Sequence, residues 1–242
     1  MKKFPYFLTF SAVLCLLLCV SVGYLISTCI VSSNLFQTTT NVESGEKSYY
    51  LISIYQDETF ENCSKVQSEF QNKNCAGYIY QDSEKYHLIA SIYSNVNDAE
   101  LVKSNLKTNG YNAEILEKKI ENTKLEGNFT NKETEILKDC FSIKDETYKS
   151  LYDISISLDT DVIDEINAKL KVNETFANFV ATKNNFETLF SKDESTEISN
   201  LRKEFEQIYE YLSNLSNEIY ENENQTFSSL IKLTYCKIIL EN

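Results

Sequence analysis

Apolar and polar positions along this chain follow two periods. From Tyr49 the pattern is strand-like. Tyr50, Leu51, Ile52, Ser53, Ile54 and Tyr55 form a run rich in β-branched and aromatic residues, after which Phe60, Cys63, Val66 and Phe70 recur at helical spacing. Beyond Asn74 and Gly77, the runs Tyr78–Tyr80 and Tyr86–Tyr93 flank the polar stretch Gln81–Glu84, which is the pattern of a hairpin. Asn97 stands where a helix cap is expected, and Ala99, Val102 and Leu106 share one helical face. Asn109–Gly110 marks a stop, and Tyr111–Leu116 alternates as a last strand. The predicted order is β-α-β-β-α-β, a ferredoxin-like split βαβ module.

From about residue 120 the alternation gives way to helical spacing. Ile136, Leu137, Cys140, Phe141, Tyr148, Leu151 and Leu158 fit one face, and Val162, Ile163, Ile166, Leu170, Ala177 and Val180 a second. Ile198, Leu201, Phe205, Ile208, Leu212, Leu215 and Ile219 alternate spacings of three and four. With Phe227, Leu230, Ile231 and Ile238 in a fourth helix, an antiparallel all-α helical bundle is expected, a coiled coil with another chain being the alternative.

The other end of the chain is different again. Phe4 to Val31 carries no charge, and Leu8–Val31 as a helix would extend roughly 36 Å, enough to cross a bilayer. The run is long for a signal peptide, and Thr28, Cys29 and Ile30 form no convincing cleavage site, so an uncleaved anchor is expected. The whole reads as an α+β protein: a cytoplasmic N-terminus (1–7), one N-terminal transmembrane helix (8–31) and a Ser/Thr/Asn-rich linker (32–47). The βαββαβ module (48–122) and the helical bundle domain (123–242) follow.

Charge sharpens this picture. Residues 1–42 carry only Lys2 and Lys3, leaving 21 basic against 36 acidic side chains in the rest of the chain. Positive charge ahead of the apolar run keeps the N-terminus in the cytoplasm and predicts a single-pass cell-membrane protein with an extracytoplasmic C-terminal region. The acidic balance disfavours nucleic acid as a partner. Cys15, Cys19 and Cys29 fall in the apolar run. Cys63, Cys75, Cys140 and Cys236 lie beyond it with no C-x-x-C spacing, and free thiols are expected ahead of disulfides. His87 is the only histidine, so neither a metal site nor a cofactor is expected. There is no G-x-S-x-G, P-loop, H-E-x-x-H or dinucleotide fingerprint, and no enzyme activity is expected.

Ser53–Ile54–Tyr55 recurs as Ser91–Ile92–Tyr93, each followed by a polar turn and an amphipathic helix. With strand starts at Tyr50 and Tyr86, Ala99 and Leu106 in the second helix, and Asn109–Gly110–Tyr111 before the last strand, residues 49–118 resemble the sporulation-related repeat (SPOR) domain, a bacterial cell-envelope module. The resemblance implies binding to peptidoglycan glycan strands, especially those stripped of stem peptides, through an exposed sheet face, in cell division or sporulation. Alternation sends Tyr50, Ile52, Ile54, Leu88, Ala90 and Ile92 toward the helices. It collects Ser53, Tyr55, His87, Ile89, Ser91 and Tyr93, with Tyr78 and Tyr80, on the opposite face. These eight are the candidate glycan-binding residues, because an aromatic ring packs on the C–H face of a sugar while its hydroxyl hydrogen-bonds. Two other readings of that face stay open: purely structural tyrosines, or a face covered by the C-terminal region. His87 reads as solvated or hydrogen-bonded rather than catalytic. The expected function is a non-catalytic, membrane-anchored envelope protein that binds glycan and has a protein partner for its helical domain. The alternative is an assembly subunit whose module and helices contact protein.

Overall fold

Caps and turns set most element boundaries in the computed structural model, which describes residues 40–193, 195–217 and 225–241. A short strand, β1 (Thr40–Glu43), leads into β2 (Lys47–Asp57). The Thr59 side chain accepts from the Asn62 N–H and opens α1 (Phe60–Gln71). Gly77, at φ 66°, then turns the chain into β3 (Tyr78–Gln81), where any Cβ would collide with the Gln71 side chain. β4 (Tyr86–Tyr93) completes the hairpin. Asn95, rather than Asn97, caps α2 (Val96–Thr108), and β5 (Glu114–Ile120) and β6 (Lys124–Gly127) follow. Thr130 and Glu133 form a reciprocal capping box at the start of α3 (Asn131–Asp159), and Asp164 caps α4 (Glu165–Phe190). The last helices are α5 (Thr196–Asn217) and α6 (Phe227–Leu240).

The strands β2 to β5 make a four-stranded antiparallel sheet in the order β3-β4-β2-β5, while β1 and β6 form a separate two-stranded sheet. Register between β2 and β4 runs Leu51↔Ile92 and Ile52↔Ser91, then jumps to Ser53↔Ile89 and Tyr55↔Leu88. Ala90 and Ile54 are thus surplus on either side, and each such bulge moves the following residues to the other face.

Both faces of the sheet are covered. On one, Ile52, Ile54, Leu88, Ala90 and Tyr93 pack with Ala99, Val66, Phe70, Val102 and Leu106 of α1 and α2. On the other, Tyr49, Leu51, Ile89 and Ile92 join a core that continues through Tyr148, Leu151, Tyr235 and Ile238 into α3, α4, α5 and α6. α6 is buried on nearly every side and is clamped at its start. Thr226 Oγ1 donates to Asn74 Oδ1 (2.6 Å), Ser229 Oγ to the Cys75 carbonyl (2.6 Å) and Lys232 Nζ to the Asn74 carbonyl (2.7 Å). Lys232 also pairs with Asp159 of α3, which accepts from Ser228.

This architecture corrects the expected fold class. Instead of a βαββαβ module followed by a separate all-α bundle, the described residues from Asn41 onward form one compact unit, with six helices and two sheets among the described residues. An uncovered face bearing Leu51, Ile89 and Ile92 would leave apolar area in water, and α3 and α6 remove it. Among the described residues no helix is long and apolar enough to cross a membrane. The expected cytoplasmic N-terminus, 1–7, and span, 8–31, lie outside the described residues, as do half of the linker, 32–39, and Ile219. β1 sits inside the stretch expected as a tether. The face expected for α4 is also corrected. Val162, Ile166 and Leu170 are 73%, 72% and 61% exposed, while Ala168, Val172, Phe179, Phe186 and Phe190 are buried. Three phenylalanines offer more area than an aliphatic row and take the inner side. On α5 the expected face is the buried one from Ile198 to Leu215.

Candidate functional site

Where β2 begins and β4 ends, the surface of α3 opens into a cleft of about 440 Å³. Lys47, Ser48 and Tyr49 come from the first turnless residues of β2, Ser94 follows β4, and Asp145, Tyr148, Lys149, Tyr152 and Asp153 come from α3. Spacings of three and four along α3 put its members on one side of the helix. Tyr49 and Tyr148 meet edge to face, with centroids 5.4 Å apart at 80°, and Tyr148 stacks on Tyr152 at 6.2 Å and 29°. Tyr93 packs edge-on against Tyr152 at 5.7 Å. Tyr49 and Tyr148 are nearly buried and form the floor; Tyr152, half-buried, carries the open ring surface.

The floor is fixed by hydrogen bonds and charge. Tyr148 Oη donates to the Ile92 carbonyl at 3.1 Å. Lys47 Nζ lies 2.6 Å from both carboxylate oxygens of Asp145, and Lys149 pairs with Asp153 at 3.2 Å across the rim. Burial, and next the negative charge of Asp145, push the Tyr49 phenol up to about 12. Burial likewise raises the Tyr148 and Tyr152 phenols. All three rings are therefore neutral over the physiological range. The lining contains neither His nor Cys, and it joins aromatic surface to two opposite charge pairs and two serine hydroxyls. Such a lining suits a ligand with both C–H faces and many hydrogen-bonding groups.

The eight residues expected to form an open glycan-binding face do not form one. Ser53, His87, Ile89, Ser91 and Tyr93 are buried. Tyr55, Tyr78 and Tyr80 are half-buried. Ser91 Oγ and Tyr235 Oη are 2.6 Å apart, so α6 lies directly on the sheet. His87 is held between Ser53 Oγ at Nδ1 (3.2 Å) and Asp82 at Nε2 (3.0 Å). Backbone N–H groups of Glu84 and Lys85 hold the Asp82 carboxyl down at about 2. Tyr78 packs toward Glu241, whose charge adds to burial in raising its phenol. Because of the two bulges, Tyr55 and Tyr93 turn to the α1/α2 side and Ile92 to the other. The covered-face reading, one of three left open by the sequence, is the arrangement observed.

Tyr148 and Tyr152 of the cleft carry a sequence signal only in hindsight: they stand one helical turn apart, and that spacing is shared by any core pair. The four described cysteines outside the apolar run are free thiols, and burial raises Cys75 to about 11 and Cys140 to about 12. Among the described residues no group of three or more His, Cys, Asp or Glu is placed to hold a metal ion.

No family model and no curated protein matches this chain. Among solved structures it is similar to the peptidoglycan binding domain of the B. subtilis cell wall lytic enzyme CwlC, at 15% identity and a TM-score of 0.26, over 30% of this chain and 91% of that one.

Proposed function

We propose that this protein is a non-catalytic cell-envelope protein that binds peptidoglycan glycan strands, and that the tyrosine cleft at Tyr49, Tyr148 and Tyr152 is where it does so. The cleft carries the reading: three neutral rings beside two charge pairs offer a sugar both stacking surface and hydrogen-bond partners. The resemblance of residues 49–118 to the SPOR domain supports the same ligand class, with cell division or sporulation as the setting. Lys2 and Lys3 ahead of the charge-free stretch support a membrane-associated protein whose described residues lie outside the cytoplasm. The test is sedimentation of the full chain with intact and with amidase-treated sacculi. Retention should be higher on the treated wall and fall about fivefold in affinity for Tyr152→Ala, which removes one stacking ring worth about 1 kcal/mol. Equal retention of the variant with an unchanged melting curve would place the ligand elsewhere.

A second reading, an assembly subunit that contacts protein, is favoured by the exposed aliphatic row Val162, Ile166 and Leu170. It predicts that solubility and partner capture depend on that row and not on Tyr152.

A further inference from the structure

Along α4, the residues turned away from the core carry almost no charge. Ile166, Leu170, Asn173, Ala177, Ala181 and Asn184 follow one another at spacings of four, three, four, four and three, and all of them are exposed. They form one stripe on the side of the helix opposite Ala168, Val172, Phe179 and Phe186. From Ile166 to Asn184 it extends roughly 27 Å.

The charges of α4 are turned aside from it. Lys183 pairs with Glu206 and Glu187 with Arg202, both of α5, while Lys169 lies over the Phe227 ring of α6 and Lys171 lines the depression toward α3. Glu174, one turn from both Leu170 and Ala177, is the charge nearest the stripe. The neighbouring helices meet solvent differently, α3 with Glu146, Lys149 and Asp153, and α5 with Lys203, Glu206 and Glu210. In a chain of formal net charge -13, an exposed stripe this long without charge has the composition of an interface core rather than of a solvated helix face.

The stripe is also complementary to itself. Its large side chains, Ile166 and Leu170, lie toward the start of α4, and its small ones, Ala177 and Ala181, toward the end. Turned antiparallel about a point between Asn173 and Glu174, two copies set Leu170 opposite Ala177 and Ile166 opposite Ala181, so that large meets small on both sides of the axis. A parallel pair would oppose leucine to leucine and leave a gap beside the alanines. The missing charge matters here, because two acidic chains repel wherever charged surfaces meet. At the axis, Asn173 Oδ1 already accepts from Ser216 Oγ (2.6 Å), which leaves its amide N–H groups for Glu174 of the second copy.

We propose that the outer face of α4 is a self-association surface, on which a second copy of this chain packs antiparallel through Ile166, Leu170, Ala177 and Ala181. This rests on the protein-contacting reading of the row and names the partner. One helix against one helix buries less than the roughly 1,200 Å² of stable interfaces, so the dimer is weak and dissociates on dilution.

Sedimentation equilibrium of the full chain in mild detergent, across the micromolar range, should show monomer and dimer in exchange. Leu170→Glu and, independently, Ala177→Glu should raise the Kd more than about tenfold, with melting curves unchanged at low concentration because both positions are exposed in the monomer. Leu101→Glu, at an exposed leucine of α2, should leave the Kd as it is. Oxidation reads the orientation. Asn173→Cys should form a disulfide with its own copy and Asn184→Cys should not, whereas a mixture of Ile166→Cys and Ala181→Cys chains should cross-link to each other. A chain monomeric at every concentration, or a dimer that survives both glutamate variants, overturns the pairing but not the protein-contacting reading, which fails separately if partner capture is indifferent to Leu170→Glu. Equal cross-linking at positions 173 and 184 overturns the antiparallel arrangement.

Discussion

The two faces of the four-stranded sheet are covered in different ways. On the α1/α2 face, Ile52, Ile54, Leu88 and Ala90 meet Val66, Phe70, Ala99 and Val102 from helices that directly follow β2 and β4 in the chain. On the α3/α6 face the cover comes from far along the sequence, and polar contacts thread the apolar ones. Ser91 meets Tyr235 across 144 positions, and Tyr148 reaches the Ile92 carbonyl across 56. The local face is an aliphatic interior that any matching amphipathic helix can complete. The distant face is specific, because each buried phenol and hydroxyl on it requires a particular partner, and a shifted α6 would strand them. That specificity joins the β-rich and helical parts into one unit.

Truncation at the centre of each face compares them at the largest scale. Tyr235→Ala should cost about 3–5 kcal/mol, and Ile52→Ala about 2–5 kcal/mol, read from denaturant midpoints. If the helices were merely appended, Tyr235→Ala would instead leave the sheet's transition untouched, and probes on the two parts would melt separately. A finer pair separates packing from hydrogen bonding. Tyr235→Phe keeps the ring but leaves Ser91 Oγ buried without its partner, a loss of about 1–3 kcal/mol. Adding Ser91→Ala should recover much of it, and a cycle with no coupling between the two changes would mean the 2.6 Å contact contributes nothing.

Alkaline pH should reveal the same buried phenols and thiols. Burial is the first cause raising Tyr49 and Tyr93 from 10.0 to about 12 and Cys75 from 9.0 to about 11. The folded state thus prefers their protonated forms. Below about pH 9 both states hold these protons and their contribution to stability is complete. Above it, the unfolded chain releases protons that the folded chain keeps until roughly pH 11 to 12, so stability falls as pH rises through that window. Denaturant midpoints at roughly pH 7 and pH 10 should show the decline, with tyrosinate absorbance from these rings appearing only on unfolding. A midpoint that does not move would contradict their burial.

What the sequence made legible follows the same division. The helix spanning Phe60 to Phe70, the hairpin around Asp82 and the a/d row of α5 are local patterns, and each is where alternation or helical spacing puts it. The surplus residues Ile54 and Ala90 are not legible, since a bulge leaves no mark in a run of apolar residues, and they alone turned Tyr55 and Tyr93 to the wrong side. The last strand pairs from Glu114 to Ile120 rather than from Tyr111, because its charged second half is an edge that β2 needs only for backbone hydrogen bonds. The cleft escaped because its rings come from β2 and α3, about 100 positions apart, and only the covering of the sheet brings them together.

The smallest effect is expected where nothing described covers the protein. α4 presents apolar residues on both sides: Val172 and Phe179 are buried, whereas Ile166 and Leu170 are 72% and 61% exposed. Sequence spacing cannot rank these rows, but burial does. Leu170→Ser removes no packed contact and exposes no new cavity, so stability should change by no more than about 0.5 kcal/mol, set against about 3–5 kcal/mol for Phe179→Ala on the inner side of the same helix. Both variants are read by thermal or denaturant unfolding of the full chain. A large loss for Leu170→Ser at low protein concentration would mean that the row is covered in solution, and a loss that grows on dilution of the wild type would identify the cover as another copy.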